Sequence, residues 1–137
     1  MTEDNKYHFT IEIGVRDYEL DSEGIVNNAV YQHYLEHARH QFLCKVGYSF
    51  AQMEAEGLTP VVSRVEINYK SSLRSGDVAV CRLWIERKGI RFVFHQDIFN
   101  KATGALAVQA IVTSVVVKNG WPTRGEQLAE FFKDYLS

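Results

Sequence analysis

Residues 28–46, NAVYQHYLEHARHQFLCKV, decide the fold. Their apolar members recur at the spacing of one helical face: Tyr31, Tyr34, Leu35, Ala38, Phe42 and Val46. This period predicts an amphipathic α-helix over the whole stretch, with an apolar stripe that needs a partner. Gly47 follows directly, as a glycine often does at the end of a helix.

The chain on both sides of this helix alternates between apolar and polar residues, which is typical of β-strands with one buried face. We expect strands over 7–16, 64–70, 78–87, 90–99 and 106–118. A loop through Gly57 and Pro60 joins the helix to the second of them. Turn residues separate the later strands closely, so consecutive strands must be largely antiparallel.

The end of the chain predicts a short C-terminal helix, because Thr123 and Glu126 have the spacing of a capping box. A sheet of about five strands needs a cover for its apolar face, and only the long helix is large enough to provide it. We therefore expect an α+β protein with a curved antiparallel sheet wrapped around one long central helix. The whole of residues 1–137 should form one domain.

The composition excludes several classes of protein. At 46% hydrophobic residues, a chain of 137 residues can bury a core without metal or disulfides. Its 15 basic and 17 acidic residues provide no basic field for a nucleic acid. Residues 1–9 lack the pattern of a signal peptide, and no run approaches the roughly 18 apolar residues of a membrane span. We expect a cytoplasmic protein whose Cys44 and Cys81 are reduced structural thiols.

The loop just before the long helix carries four carboxylates: Asp17, Glu19, Asp21 and Glu23. A helix N-terminus presents unpaired N–H groups and the positive end of the helix dipole. Two interpretations stand at this point. The acidic residues only stabilise the helix, which Asn27 or Asn28 caps, or one of them performs chemistry at the helix terminus.

A resemblance to a known family lies in residues 21–39. Asp21-x-x-Gly24-Ile-Val-Asn-Asn-x-x-Tyr31, followed by Tyr-Leu-Glu-x-Ala-Arg, resembles the signature of the hotdog-fold acyl-CoA thioesterases, the 4-hydroxybenzoyl-CoA thioesterase-like group. Matches at 60–69, 75–77 and 89–94 extend the resemblance over nearly the whole chain. It implies the hotdog fold, which is the architecture expected above, and hydrolysis of an acyl-CoA thioester to a free acid and CoA.

The resemblance also implies roles for residues of the loop and helix. Asp21 corresponds to the family's catalytic aspartate, which acts as a general base or as a nucleophile. The main-chain N–H at Asn28 corresponds to the donor that stabilises the oxyanion. Gly24, Val26 and Tyr31 are expected to contact the substrate.

The turn between the third and fourth strands holds the second group of expected contacts. Lys88, Gly89 and Arg91, with Arg87 beside them, match the turn at which the family binds the phosphates of CoA. Lys70 and Arg74 are weaker candidates for the same role. A solvated hairpin tip is the alternative interpretation.

The expected substrate is an acyl-CoA, and the reaction needs no cofactor because CoA is part of the substrate. The paired Asn27 and Asn28 also resemble some acyl-carrier-protein thioesterases, so that activity stays an alternative, as does a non-catalytic acyl-CoA-binding module. The family forms homodimers, often paired again as homotetramers. We therefore expect Asp21 of one protomer to work beside the Gly89 turn of its partner.

Three histidines share the helix with Glu36: His33, His37 and His40. At roughly 100° per residue they point away from the apolar stripe, and we expect no metal there. Glu36 is a second candidate catalyst, because some hotdog thioesterases use a glutamate of the central helix. Its projection places it at the surface or at a subunit contact instead. His95, within a strand, is expected to be structural.

Overall fold

The computed structural model describes residues 6–136; residues 1–5 of the N-terminal stretch and Ser137 lie outside the described part. The helices are α1 (Asn28–Lys45), α2 (Phe50–Ala55) and α3 (Glu126–Phe131). The strands are β1 (Phe9–Gly14), β2 (Leu58–Tyr69), β3 (Val78–Lys88), β4 (Arg91–Asn100), β5 (Leu106–Lys118) and β6 (Trp121–Pro122). Over residues 6–136, no helix is long and apolar enough to cross a membrane.

The strands form one antiparallel sheet in the order β1-β3-β4-β5-β2, with β6 paired to β5. The sheet curls around α1, whose apolar stripe lies in the core: Tyr31, Tyr34, Leu35, Ala38 and Phe42 are all buried. The expected α+β hotdog architecture is therefore confirmed, with β6 as a short additional strand.

The two cysteines lie in different environments. Cys81 is buried in the core on β3, and burial raises the pKa of its thiol to about 12. A thiol held neutral in this way is a poor nucleophile, which agrees with the expected structural role. Cys44, near the end of α1, is exposed.

The prediction for the segment after α1 is wrong in two respects. Ser49 caps a short helix, α2, by accepting a hydrogen bond from Gln52 N–H at 3.2 Å. The second strand begins at Leu58, so Pro60 lies inside β2 rather than in a loop. Proline is tolerated there because β2 is at the edge of the sheet, where an N–H is not needed for pairing on the outer side.

The C-terminal helix is present, but Thr123 does not cap it as the spacing predicted. The cap residue is Gly125, with φ +66°. The Thr123 hydroxyl donates to Val116 C=O at 2.8 Å and accepts from Gly125 N–H at 3.1 Å, so it organises the turn before the helix. A Cβ on Gly125 would lie 2.6 Å from Cε2 of the buried Phe92.

The close approach of Gly125 to Phe92 predicts that a side chain at position 125 is unusually costly. Gly125→Ala should lower the free energy of unfolding by about 2–5 kcal/mol, because the left-handed backbone and the overlap with the ring both oppose a side chain. Gly104→Ala is the matched control, since its φ is +75° but no atom lies within 4 Å of its Cβ position. It should cost only about 1–2 kcal/mol. Urea unfolding measures both, and equal losses would contradict the proposed overlap.

Candidate active site

The loop before α1 folds back on itself as a small hairpin over residues 19–27, here called the loop hairpin. Its base is the hydrogen bond from Asn27 N–H to Glu19 C=O, at 3.0 Å. Asp21 N–H donates to Ile25 C=O at 2.8 Å, and Gly24 N–H donates to Asp21 C=O at 3.1 Å. Gly24 has φ +79°, a conformation that glycine adopts without a steric penalty. The loop hairpin is therefore an ordered element.

Asp21 is half-buried on the loop hairpin. Its Oδ1 accepts hydrogen bonds from Glu23 N–H at 2.8 Å and from Ile25 N–H at 3.4 Å. Within the described part of the chain, no group donates a hydrogen bond to Oδ2. The carboxylate is thus fixed through one oxygen while the other can face a water molecule or a substrate.

The N-terminus of α1 leaves one main-chain donor without an acceptor. Asn27 is the cap residue, and its Oδ1 accepts from Ala29 N–H at 2.9 Å. Asn28 is the first residue of the helix, and its N–H makes no hydrogen bond to any residue in the range 6–136. Such a free N–H at a helix N-terminus is a preorganised donor for a developing negative charge.

A cavity of about 140 Å³ opens at this helix terminus. Four of its lining residues are expected from the sequence, with Lys70 as the weaker candidate, and three are not: Val26, Asn28, Tyr31 and Lys70 against Tyr69, Ser71 and Ser72. Asp21 and Gly24 are on the adjacent loop hairpin and do not line it. The cavity lies where the end of β2 reaches α1, since Tyr69 O–H donates to Asn28 C=O at 3.3 Å.

Tyr31 connects one wall of this cavity to the segment between β2 and β3. Its hydroxyl oxygen accepts a hydrogen bond from Leu73 N–H at 2.9 Å. Burial raises the pKa of Tyr31, and the bond from Leu73 N–H acts in the opposite direction. Of the residues from Tyr69 to Ser72, the sequence predicts only Lys70 as a contact, with the phosphates. The others reach the site because the end of β2 lies against the start of α1, which the sequence does not reveal.

The turn between β3 and β4, here called the basic turn, lies at the other end of the sheet from the loop hairpin. Ser75, at the turn before β3, donates to Asp17 beside the loop hairpin at 3.1 Å. Lys88, Gly89 and Arg91 surround the turn that follows β3. β3 has 11 residues, so its ends are about 33 Å apart. The structure therefore does not bring this turn and Asp21 together within one protomer.

Arg87, which the sequence grouped with this turn, has other partners. Its guanidinium donates to Arg124 C=O at 2.5 Å and lies 3.4 Å from a carboxylate oxygen of Glu126. It also lies over the Phe92 ring, 5.6 Å from the ring centre. These contacts hold the segment before α3 against the sheet, which leaves Lys88 and Arg91 as the exposed cations of the turn.

The remaining candidates lie on α1 and β4. The three helix histidines are exposed, as the projection predicted. Glu36 is exposed too and borders a cavity of about 320 Å³. Arg39 borders the same cavity and donates to Oε1 of the buried Gln96 at 3.0 Å.

His95 on β4 stacks on Trp84 with ring centres 3.8 Å apart and contacts Glu86. Among residues 6–136, no three metal-ligating side chains converge.

Glu19 is the residue of this region that sequence reasoning did not distinguish. It was one of four acidic residues in the loop, yet it is only 7% exposed. Its carboxylate accepts from Tyr34 O–H on α1 at 2.6 Å. Nothing in the spacing of the four carboxylates separates it from Asp17 or Glu23, both of which are exposed.

Comparison with known proteins adds independent information. The profile of the Thioesterase-like superfamily matches residues 15–133. The acyl-acyl carrier protein thioesterase ATL2 of Arabidopsis thaliana is 37% identical over 120 residues, which are 83% of this chain. Those residues are 62% of the plant protein, so the chain spans less than two thirds of that relative. The putative acyl-CoA thioesterase YneP of Bacillus subtilis is 35% identical over 107 residues, 77% of each chain.

The structure is similar to that of a solved thioesterase. DHNA-CoA thioesterase from Staphylococcus aureus superimposes with a TM-score of 0.81 at 27% sequence identity. The similarity covers 91% of this chain and 88% of that one. Because the family profile covers most of the chain and the hotdog architecture agrees with it, this protein belongs to the thioesterase-like superfamily.

Proposed function

We propose that the protein is a thioester hydrolase that converts an acyl-CoA to a free acid and CoA. The observation that carries this proposal is the free Asn28 N–H at the start of α1, next to a loop hairpin that holds Asp21 with one oxygen unpaired. A thioesterase needs both a donor for an oxyanion and a group that promotes attack on the carbonyl. Membership of the thioesterase-like superfamily supports the same reaction.

In the proposed reaction, the thioester carbonyl oxygen accepts a hydrogen bond from Asn28 N–H. Attack on the carbonyl carbon turns that oxygen into an oxyanion, and one such donor elsewhere is worth roughly 10²–10³ in rate. Asp21 either takes a proton from the attacking water or attacks the carbon itself, giving an anhydride that water then cleaves. In both routes the C–S bond breaks and CoA leaves as the thiol, with the proton supplied by water. No cofactor takes part.

The carrier of the acyl group has a second candidate. The Arabidopsis relative is named as an acyl-acyl carrier protein thioesterase, whereas the Bacillus relative is named as a putative acyl-CoA thioesterase. Their identities to this chain are 37% and 35%, so similarity does not favour one carrier. An acyl-carrier-protein thioester is therefore the alternative substrate, and the hydrolytic chemistry would be the same.

The position of the basic turn supports a site shared between two protomers. β2 is an edge strand that exposes Val61, Val62 and Val65, each 41–44% accessible. An unpaired apolar edge of this kind favours pairing with another strand. Antiparallel pairing of β2 with β2 of a second copy would place the Leu58 end of one beside the Tyr69 end of the other. The partner's Gly89 turn then approaches the loop hairpin, as a homodimeric site requires.

The role of Asp21 predicts a large loss on removing its charge. Asp21→Asn should lower kcat for thiol release from acyl-CoA by about 10²–10⁴-fold, because a general base or nucleophile is lost. Glu23→Gln is the matched control, since it removes a charge two positions away and keeps the N–H that donates to Asp21. Assays over short, aromatic and long acyl-CoAs measure thiol release. Full activity in folded Asp21→Asn would refute the catalytic role of Asp21. Binding of acyl-CoA without thiol release by the wild type would refute the proposed hydrolase activity.

The choice of carrier can be tested with one acyl group attached to both thiols. We expect a higher kcat/KM for the CoA thioester, because Arg91 is exposed and can pair with its phosphates, as can Lys88 if it exchanges its exposed ion pair with Glu86, 3.9 Å away. Arg91→Ala should raise KM for that substrate about 10-fold, the loss expected for one hydrogen bond to a charged group. A higher kcat/KM for the carrier-protein thioester would reverse the assignment.

The shared site predicts complementation between two damaged protomers. A heterodimer of Asp21→Asn and Arg91→Ala chains, purified with two different tags, contains one site with both changes and one site with neither. It should recover about half of the wild-type activity at low substrate concentration, since an isologous dimer has two equivalent sites. If Asp21 and Arg91 serve the same site from one chain, the heterodimer would show only the mean of its two parents.

A further inference from the structure

The carboxylate of Glu19 is buried and fully engaged. Oε1 accepts from Arg16 N–H at 2.8 Å and from Tyr34 O–H at 2.6 Å, and Oε2 pairs with the Arg16 guanidinium at 3.1 Å. Removing a carboxylate from water is costly unless hydrogen bonds and an opposite charge compensate. The set of partners around Glu19 provides that compensation and fixes the side chain in one orientation.

Tyr34 is the partner of Glu19 on the helix. It is 2% exposed and lies on the same buried face of α1 as Tyr31, whose ring stands edge-on to it with centres 6.3 Å apart. Burial raises the pKa of Tyr34, and the hydrogen bond to Glu19 raises it further. The phenol therefore stays protonated at neutral pH and donates a hydrogen bond to the carboxylate.

The main chain of Glu19 makes the third connection. Its carbonyl accepts from Asn27 N–H, at the base of the loop hairpin. Glu19 thus joins the start of the hairpin to its end through the backbone and joins both to α1 through the side chain. Asp21 is two residues from this junction on one side, and Asn28 is one residue from it on the other.

We propose that Glu19 and Tyr34 are positioning residues that set the Asp21 carboxylate relative to the Asn28 N–H. The inference rests on the proposed hydrolysis for its consequence, but the contact itself is independent of substrate. Neither side chain lines the cavity at the helix terminus, so they act through Asp21 and not on the thioester. A displacement of the carboxylate by about 1 Å is enough to lower the rate of an oriented reaction by about 100-fold.

A kinetic test uses Tyr34→Phe, which removes only the hydroxyl. We expect kcat to fall by about 10- to 100-fold while KM changes by less than about 2-fold, because orientation is lost and substrate contacts are kept. Gly125→Ala is the control for a general loss of stability, since Gly125 packs on Phe92 near α3 and should leave kcat per folded molecule unchanged. Glu19→Gln keeps an acceptor oxygen for Tyr34 and should retain more activity than Glu19→Ala.

The decisive measurement places Tyr34→Phe in the Asp21→Asn background. If Tyr34 acts through Asp21, the double variant should have the kcat of Asp21→Asn alone, within about 2-fold. Losses that multiply, or an unchanged kcat in Tyr34→Phe, would overturn the proposal. Single-turnover assays at high enzyme concentration keep the residual rate measurable.

Amide hydrogen exchange separates this inference from the proposed function. Tyr34→Phe should speed exchange of the main-chain N–H groups in residues 20–27 by about 10-fold or more, because loss of the contact lets the hairpin open locally. Gly125→Ala should leave those N–H groups protected. A wild type that releases no thiol would refute the proposed function alone, whereas unchanged exchange in Tyr34→Phe would refute the contact as a positioning device.

Discussion

One helix has to cover the inner face of the whole sheet, and the site depends on how that packing is achieved. α1 has 18 residues, which gives a length of about 27 Å. Its buried stripe fixes both its rotation and its position along the strands, because interiors pack too densely for a helix to slide. Tyr31 and Tyr34 belong to that stripe, and their hydroxyl groups contact Leu73 and Glu19. The packing that buries the helix therefore also determines where its first N–H lies.

Much of the fold could be predicted from the sequence, because its periods are local and strong. The change from alternation to helical spacing at Asn28 coincides with the first residue of α1. Pro60 is an exception: the sequence predicts a loop there, because proline can lie within a strand only at an edge and strand order is not visible in the sequence. Thr123 is another exception: its spacing to Glu126 predicts a cap, but that spacing says nothing about the left-handed backbone at Gly125.

Some parts of the candidate site can likewise be predicted from the sequence, and others cannot. The parts carried by one continuous segment, Asp21, Gly24 and the Asn28 N–H, were expected from chain order and from the family resemblance. The wall from Tyr69 to Ser72 depends on the register by which β2 pairs with β5 and returns to α1. In the homodimeric site that we propose, the basic turn comes from a second copy of the chain, since β3 separates it from Asp21 within one protomer. Long-range pairing and assembly leave no local period in the sequence.

Glu19 and Asp21 show how two similar side chains, two positions apart, acquire different capacities. Each acceptor oxygen of Glu19 is occupied by a partner that the fold holds in place. Such a carboxylate cannot accept a further proton or attack a carbon without breaking those contacts. Asp21 bonds its own loop through one oxygen and keeps the other unpaired. A fully hydrogen-bonded carboxylate suits the fixing of geometry, and a partly satisfied one suits reaction, which is the division of roles that we propose for Glu19 and Asp21.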